Sequence, residues 1–444
     1  MNKKSILVVL FSFTTLFISA QKKPNVIIIY TDDQGSVDLT SYGATDLVTP
    51  NMDIIVNSGT RFTQFYASPI CSPSRATLLT GKNPQRAGVP GNIPSVPVTP
   101  KGLSGEQYTM AEMFKDADYQ TVHIGKWHLG DQAGMLPNEQ GFDYSFGHHV
   151  GCIDNFSHFY YWRGPNRHDL YRNGEEVFYD GQFFPELMLK EAKAFLDNKE
   201  DKPFFMFYAM NSPHYPYQGT PEWLAYYQEK GVAYPRDLYA AFLSTHDEII
   251  GELFDKLEAL DLMDNTIIVF QSDNGHSTEE RAHHGGGSAG PYRGAKQCLF
   301  EGGIRVPAAI SWKGEIPKGE VRAQFAVNAD WMPTLAELCG IKLDTRDLDG
   351  KSLVPIISNA KKETLHGEGY CWQYNDMWVA RKGKWKLIGN PFDTGNRELK
   401  FNVDRWLVNL EKDPGETTNL AAVNPEVVAE LEGVYHKWLE TNKR

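Results

Sequence analysis

Four segments of this sequence resemble buried β-strands, and each runs into polar residues that can bind ligands or move protons. The segments are residues 25–30, 120–124, 204–210 and 266–271. The residues that follow them include carboxylates, an amide, a lysine and two histidines: Asp32 and Asp33, Lys126 and His128, His214, and Asp273 and Asn274. Oxygen groups hold divalent cations, and lysine and histidine bind anions or transfer protons. The pattern is typical of an enzyme active site.

The acidic residues after the first and last of these segments predict a metal site. Asp32, Asp33, Asp273 and Asn274 all offer oxygen ligands, and no cysteine or histidine cluster adjoins them in the sequence. Hard oxygen ligands suit calcium or magnesium better than zinc. A single acidic pair after a strand is more often a turn or a helix cap. Two such pairs at two strand ends favour a cation site.

Cys71 stands directly before a predicted helix. Ser72 and Pro73 are typical of a helix start, and Gly81 is typical of a helix end. At such a position the unpaired amides and the helix dipole favour negative charge on the cysteine side chain. The ordinary alternative is a small buried residue that precedes a helix.

The order of the elements explains how these residues can meet. Strands and helices alternate up to about residue 345, which predicts an α/β domain with a large, mostly parallel sheet flanked by helices, over residues 21–345. In open α/β sheets ligands bind beyond the carboxyl ends of the strands, so residues far apart in sequence converge there.

Residues 346–444 have a different pattern. A hairpin over residues 377–381 and 384–387 and a strand at 405–409 precede a helix that begins at Asn424. We therefore expect a smaller C-terminal domain of antiparallel sheet plus one helix.

The beginning of the chain predicts export. Two lysines precede an apolar run over residues 6–18, and Ser19 and Ala20 offer small side chains for cleavage, so residues 1–20 are predicted to be a signal peptide. The run is too short to span a membrane, and no later segment is long and apolar enough. We expect a periplasmic or secreted protein without a membrane span.

Composition narrows the function further. The formal net charge of −12 argues against a general nucleic-acid binder, because such proteins carry basic faces. Five cysteines show neither metal-binding spacing nor a disulfide framework, and their odd number leaves at least one unpaired. Pairing among the four other than Cys71 stays open, as does the oligomeric state: Cys152, Cys298, Cys339 and Cys371.

Residues 71–81 closely resemble the signature of formylglycine-dependent type I sulfatases, in which Cys-x-Pro-x-Arg precedes a helix. Further motifs agree in order and spacing: Gly125-Lys126-Trp127-His128-Leu129-Gly130, Ser212-Pro213-His214-x-Pro216, Ser272-Asp273-Asn274-Gly275, Glu301-Gly302-Gly303-x-Arg305-Val306-Pro307 and Asp413-Pro414-x-Glu416. The resemblance covers nearly the whole mature chain. It implies a main domain with a fold like that of alkaline phosphatase.

The resemblance also implies a modified residue and a cofactor. A formylglycine-generating maturation enzyme would oxidise Cys71 to an aldehyde, whose hydrate attacks sulfur with one hydroxyl and releases sulfate when the second hydroxyl loses its proton. One calcium ion would serve as a Lewis acid for the sulfate oxygens. Its implied ligands are the modified residue 71 and the four oxygen residues: Asp32, Asp33, Cys71, Asp273 and Asn274.

The same resemblance implies roles for the cations and histidines. Lys126 and Lys296 would bind sulfate oxygens, and Arg75 would orient the aldehyde hydrate. His128 would act as the base that triggers collapse, and His214 would donate a proton to the bridging oxygen. Taken singly, each has an ordinary alternative: the lysines as solvated surface residues, and the histidines as satisfied loop or core residues.

Residues 142–184 are dense in aromatic and polar side chains, a mixture that suits a sugar site. The alternative is a loop that packs its aromatic rings on the main sheet. Together with export, the mixture favours a sulfatase acting on a glycan or oligosaccharide. The candidate substrate ligands are Asp154, Asn155, His158 and Arg163, with a second group formed by His283 and His284.

Two rival functions stay open. A phosphodiesterase or phosphonate monoester hydrolase of the same superfamily could use the same nucleophile. The chain would instead be a non-catalytic sulfoglycan-binding protein if Cys71 were never oxidised. Against a two-metal phosphatase, lysines and histidines occupy positions where further metal ligands would be needed: Lys126, His128, His214 and Lys296.

Overall fold

The computed structural model describes residues 22–96, 101–162 and 164–442. The predicted signal peptide lies outside these residues. Within the part of the chain that is described, no helix is both long enough and apolar enough to cross a membrane.

The strands in chain order are β1 (Asn25–Thr31), β2 (Thr60–Phe62), β3 (Phe65–Tyr66), β4 (Gln120–Lys126), β5 (Tyr144–His148), β6 (Phe159–Tyr160), β7 (Arg167–His168), β8 (Tyr171–Arg172), β9 (Glu175–Glu176), β10 (Phe204–Ala209), β11 (Thr266–Ser272), β12 (Ala308–Ser311), β13 (Glu320–Arg322), β14 (Ala326–Val327), β15 (Tyr370–Tyr374), β16 (Met377–Lys382), β17 (Trp385–Gly389) and β18 (Arg405–Asn409). The α-helices are α1 (Pro50–Ser58), α2 (Cys71–Thr80), α3 (Met110–Asp116), α4 (Phe184–Asn198), α5 (Pro221–Glu229), α6 (Arg236–Ala259), α7 (Glu301–Ile304), α8 (Trp331–Leu338), α9 (Val354–Ser358) and α10 (Pro425–Asn442).

The main sheet has ten strands in the order β13-β2-β12-β11-β1-β10-β4-β5-β8-β9. Its centre, from β11 to β5, is parallel, and antiparallel pairs follow on both sides. The predicted α/β fold with a large sheet flanked by helices is confirmed, and the sheet is mixed. All four strands predicted from the apolar segments belong to the parallel centre: β1, β4, β10 and β11.

The side chains of β1 show how the sheet is covered on both faces. Ile27 and Ile29 pack in one apolar core, and Val26, Ile28 and Tyr30 pack in another. Alternate residues of a strand point to opposite faces, so a wholly apolar strand needs a layer on each side. Helices α1, α4 and α6 supply the first core, and α2, α3 and α8 supply the second.

The C-terminal part forms a separate antiparallel sheet in the order β15-β16-β17-β18. Helix α10 packs on this sheet, with the ring of Tyr435 stacked on that of Trp378 at a centroid distance of 4.1 Å. The predicted hairpin, strand and final helix are all present, and β15 is an additional strand. The domain division at residue 345 stays a prediction.

A buried ion triad joins the two sheets. Lys386 of β17 places its Nζ 2.9 Å from carboxylate oxygens of both Glu301 and Glu416. All three side chains are fully buried, and the Tyr66 hydroxyl donates to Glu301 at 2.6 Å. Two of the motifs recognised in the sequence therefore meet at one lysine of the C-terminal sheet.

Candidate active site

The side chains predicted to do chemistry meet at the carboxyl end of the parallel strands. Asp32 and Asp33 follow β1, Lys126 is the last residue of β4, and Asp273 follows β11. The backbone amide of Asp273 donates to the Thr31 carbonyl at 3.0 Å, which extends the pairing of the two strands into the site. Because these strands are parallel and close together, their carboxyl ends open at the same edge of the sheet.

Helix α2 brings Cys71 to this edge. Cys71 is the first residue of the helix and is 1% exposed, with its Sγ 3.5 Å from Asp32 Oδ1. Gly81 ends the helix in the left-handed conformation, with φ of 65°, as the sequence predicts. Burial raises the pKa of the Cys71 thiol well above its usual range, despite nearby lysines. The unmodified residue is therefore a neutral thiol rather than a reactive thiolate.

Arg75, one turn further along α2, binds the acidic groups. Its Nη2 lies 3.0 Å from Asp273 Oδ2 and 3.6 Å from Asp32 Oδ1, and its Nη1 donates to the Lys126 carbonyl at 3.0 Å. The Lys126 ammonium lies 2.6 Å from Asp32 Oδ2. All four side chains are fully buried, so their charges must be balanced within the site.

Asp33 faces the opposite side of the site. Its carboxylate lies 2.8 Å from the Lys296 ammonium and 3.6 Å from His214 Nε2. The backbone amide of Lys296 donates a hydrogen bond to the His276 carbonyl at 2.9 Å, which holds this segment in place. The two lysines thus approach the acidic pair from two different segments of the chain.

The carboxylates titrate in opposite directions. Burial alone would raise the pKa of Asp32, but Lys126, His214 and Arg75 outweigh it and hold that pKa well below its usual range. At Asp33, burial raises the pKa by more than the charge of Lys296 lowers it, so the pKa is raised. Burial, followed by the charge of Asp32, raises the pKa of Asp273 to about 7. The lysines and the arginine therefore compensate Asp32 but do not fully compensate Asp33 and Asp273.

This donor set fits a divalent cation. Asp32, Asp33, Cys71 and His214 place one ligand atom each within 4.8 Å of one another. Asn274, fully buried beside them, has an Oδ1 atom with no hydrogen-bond partner among the described residues. An orphaned buried oxygen is costly unless a ligand satisfies it. The predominance of oxygen donors suits calcium.

The two histidines differ in which nitrogen is free. His128 Nε2 donates to the Ile93 carbonyl at 3.0 Å, since a carbonyl can only accept, and His128 Nδ1 has no partner among the described residues. His214 Nδ1 donates to the Tyr215 carbonyl at 2.6 Å, which leaves Nε2 toward Asp33. Burial lowers the pKa of both imidazoles well below the usual value.

A cleft of about 1290 Å³ opens over this site. Four predicted catalytic residues line it: Cys71, His128, His214 and Lys296. Arg75, Lys126 and the acids are buried and are not among the residues that line it. The reacting group would therefore enter from the cleft and meet the cations and acids at its floor.

Three of the predicted substrate ligands make hydrogen bonds within the protein. Asp154 Oδ1 accepts from the amides of two following residues, and its Oδ2 accepts from Gln218 at 2.7 Å. Asn155 is fully buried and binds Gln218 and Asn211. His158 donates through Nε2 to the Gln182 carbonyl. None of these three is among the described residues that line the cleft.

The two histidines of the second candidate group differ in position. His284 lines the cleft, whereas His283 Nδ1 shares a hydrogen bond with the Tyr234 hydroxyl at 2.7 Å. His283 is not among the described residues of the cleft wall. Arg163 lies outside the described residues.

The cleft wall also contains residues that sequence reasoning missed. Arg281 stacks over the ring of Tyr215 at 4.9 Å, and the Tyr215 hydroxyl donates to Glu279 at 3.1 Å. Tyr374 of β15 and Arg397 of the segment before β18 complete this side. These residues come from four separate segments with no common sequence pattern, so only the fold brings them together.

Comparison with known proteins identifies relatives. Residues 24–341 match the Sulfatase family, and residues 294–443 match the family described as N-sulphoglucosamine sulphohydrolase, C-terminal. Arylsulfatase A of Homo sapiens is 31% identical over 93% of this chain and 87% of its own length. N-acetylgalactosamine-6-sulfatase of Canis lupus familiaris is 33% identical over 94% of this chain and 85% of its own length. The solved structure of Ps i-CgsB in complex with k-i-k-neocarrahexaose has a TM-score of 0.85 at 28% identity, and the match covers 95% of this chain and 94% of that one.

Proposed function

The chain belongs to the sulfatase family and is a sulfuric ester hydrolase, and from that premise we propose that it removes sulfate from a glycan or oligosaccharide. The observation that carries the substrate class is the cleft above Cys71. Its volume of about 1290 Å³ exceeds the roughly 300–1,000 Å³ of small-molecule pockets. Aromatic rings for sugar faces and cations for anionic groups line the same wall.

We propose that Cys71 is matured to formylglycine and that one calcium ion binds beside it. The residues that would hold the ion are Asp32, Asp33, Asp273 and Asn274 with the modified residue 71. When present, the two groups would supply a hydrated aldehyde as nucleophile and a Lewis acid for the sulfate oxygens. The neutral, buried thiol of Cys71 supports the need for a modified nucleophile.

The charges of the chain suit an anionic substrate. When ionised, the carboxylates of Asp32, Asp33 and Asp273 are formally balanced by Arg75 and two lysines, Lys126 and Lys296. A divalent cation would bring the site to a net positive charge. In a water-poor site such a charge favours a sulfate ester strongly. Lys296 lines the cleft and would contact sulfate directly, with Lys126 behind it.

The histidines would divide the proton transfers. His128 keeps one ring proton on Nε2 through its bond to Ile93, so Nδ1 is the nitrogen that can accept a proton from the nucleophile's second hydroxyl. His214 keeps one proton on Nδ1 through its bond to the Tyr215 carbonyl, so Nε2 could donate to the bridging oxygen of the leaving sugar only when the ring carries a second proton, as an imidazolium beside the Asp33 carboxylate. Positioned acid catalysis typically contributes about 10²–10⁴-fold, and a sugar alkoxide needs it because it leaves poorly.

Two relatives support a sulfated saccharide as substrate. The Ps i-CgsB structure contains k-i-k-neocarrahexaose, and another relative is an N-acetylgalactosamine-6-sulfatase. The aromatic residues of the cleft, among them Tyr160, Trp162 and Tyr374, would pack on pyranose rings. Export to the periplasm or the exterior, directed by residues 1–20, would bring the enzyme to extracellular glycans.

Two measurements test this function together. A panel of defined sulfated saccharides and the corresponding phosphate esters is incubated with the purified protein, and released sulfate and phosphate are measured. Peptide mass analysis of the segment around Cys71 in the same sample determines whether formylglycine is present. We expect sulfate release with formylglycine. Faster phosphate release would favour the phosphodiesterase or phosphonate hydrolase alternative, and an unmodified thiol without turnover would favour a sulfoglycan-binding protein.

A further inference from the structure

A second group of potential metal ligands lies outside the catalytic centre. His158, His168 and Asp180 each place one ligand atom within 4.8 Å of those of the other two. His158 directly precedes β6, His168 ends β7, and Asp180 lies just before α4. Two imidazoles with one carboxylate are the ligands of first-row transition metals rather than of calcium.

Each histidine keeps one nitrogen available. His158 Nδ1 and His168 Nε2 are both buried and have no hydrogen-bond partner among the described residues. His158 is 0% exposed and His168 is 8% exposed. Two buried ring nitrogens without partners in one small cluster are costly, unless a ligand between them takes up their lone pairs.

The opposite nitrogens are held as in metal-binding histidines. His158 Nε2 donates to the Gln182 carbonyl at 3.1 Å, and His168 Nδ1 lies 2.8 Å from a carboxylate oxygen of Glu176. A carbonyl or carboxylate on the far nitrogen fixes the ring and the tautomer of a histidine ligand. These contacts leave His158 Nδ1 and His168 Nε2 as the ring nitrogens that are available to a ligand.

We propose that His158, His168 and Asp180 bind one divalent transition-metal ion, and that this ion is zinc. Ligand atoms around tetrahedral zinc lie roughly 3.3 Å apart for bonds of about 2.0–2.1 Å. The exposed Asp180 side chain closes the remaining distance by rotation, and water fills the fourth position. This zinc site is separate from the proposed calcium site, and the proposal does not depend on which substrate the enzyme uses.

The location gives the ion a structural purpose. The hairpin formed by β6 and β7 carries Tyr160, which lines the cleft, and Trp162 follows it on the same wall. Residues 155 and 156 bind the start of α4 through two backbone bonds, from the amides of Phe184 and Gly181. A metal ion shared by His158, His168 and Asp180 would fasten this hairpin to the segment before α4.

Zinc titration of the mature, calcium-saturated protein tests the site. Isothermal titration with Zn²⁺ should give one site per chain, and cobalt substitution should give the absorption of a tetrahedral site with nitrogen and oxygen ligands. We expect His168→Gln to weaken Zn²⁺ binding by at least about 100-fold. Glu176→Gln, which removes only the carboxylate behind His168, should weaken it by about 10–100-fold.

Controls separate this site from others. Glu175→Gln changes an exposed neighbour on the same strand and should leave Zn²⁺ affinity unchanged. Asp180→Asn alters an exposed side chain and provides a test if His168→Gln does not fold. Saturating calcium prevents zinc from occupying the catalytic acids. Wild-type affinity no higher than that of His168→Gln or Asp180→Asn, or the absence of Zn²⁺ binding by the wild type, would overturn the proposal.

Discussion

The ammonium of Lys296 lies 2.8 Å from the carboxylate of Asp33, a residue 263 positions away in the sequence. Lys296 also lines the cleft, so it stands between a predicted calcium ligand and the position of the substrate. A lysine ammonium has three N–H donors, so Lys296 can bind a sulfate oxygen and keep its contact with Asp33. The contact therefore places the sulfate-binding lysine directly beside the predicted metal site.

The first prediction concerns this lysine. Lys296→Met removes the ammonium but keeps an unbranched side chain of similar length, so we expect inhibition by inorganic sulfate to weaken by about 10–100-fold, the value of one or two lost charge-assisted contacts. The inhibition constant is measured with an aryl sulfate substrate, and metal content is determined in parallel. The exposed Lys318→Met serves as control. An unchanged inhibition constant would place sulfate elsewhere.

Cys71→Ala should abolish turnover while the fold persists. We expect a loss of at least about 10³-fold in sulfate release, because no other group can take over the nucleophile's covalent step. The thermal midpoint should change little, since the substitution removes one small buried sulfur atom. Cys339→Ala, a buried cysteine in the core beneath the sheet, is the matched control. Sulfate release by Cys71→Ala near the wild-type rate would contradict the mechanism.

The parts of the fold that the sequence predicts are those with long local patterns. Helix α2 has typical residues at both ends, and β1 and β11 are unbroken apolar runs, so their bounds could be predicted closely. The outer strands β2, β12 and β13 have three or four residues each and form through pairing between distant segments. Such pairing depends on the tertiary fold rather than on local propensity.

The candidate site shows the same division. The acids and Lys126 could be predicted to converge, because they follow strands that any parallel sheet would align. The substrate residues could not, because Asn155 and His158 have the composition of sugar ligands but bind their own loop. Composition does not reveal the direction of a side chain. Arg281 and Arg397 belong to no recognisable sequence motif, and only the structure shows that they line the cleft.

His214 should matter most for poor leaving groups. If Nε2 of His214 protonates the bridging oxygen, His214→Ala should reduce kcat on a sugar sulfate by about 10²–10⁴-fold and have much less effect on an aryl sulfate whose phenolate leaves readily. Steady-state kinetics with both substrates give the ratio. His436→Ala, an exposed histidine on α10, is the control. Equal losses on the two substrates would exclude the acid role.

The buried triad at Lys386 should make stability depend on pH. Burial and the charge of Glu301 outweigh Lys386 and raise the pKa of Glu416 to about 7, whereas an unfolded glutamate has a pKa of about 4.3. Between these values the folded state holds a proton that the unfolded state has released. The free energy of unfolding contributed by Glu416 therefore falls as pH rises from about 4.3 to about 7.

Glu416→Gln removes this titration. Relative to wild type, the variant should gain on the order of 3 kcal/mol in the free energy of unfolding as pH rises from about 4.5 to about 7.5. Urea unfolding at several pH values measures the difference, with the exposed Glu411→Gln as reference. A difference that stays constant with pH would show that Glu416 is ionised throughout this range.

Arg281 should distinguish a saccharide substrate from a small ester. Its guanidinium lies over Tyr215 in the cleft wall, where it can bind hydroxyls or a second sulfate of a sugar chain. We expect Arg281→Gln to raise KM for a sulfated oligosaccharide by about 10-fold, the value of one hydrogen bond to a charged group. KM for a monocyclic aryl sulfate should hardly change, because that substrate has no sugar hydroxyl and no second sulfate for Arg281 to bind. Arg346→Gln, in an exposed 3₁₀ helix far along the chain, is the control, and an equal rise for both substrates would assign Arg281 to the sulfate pocket itself.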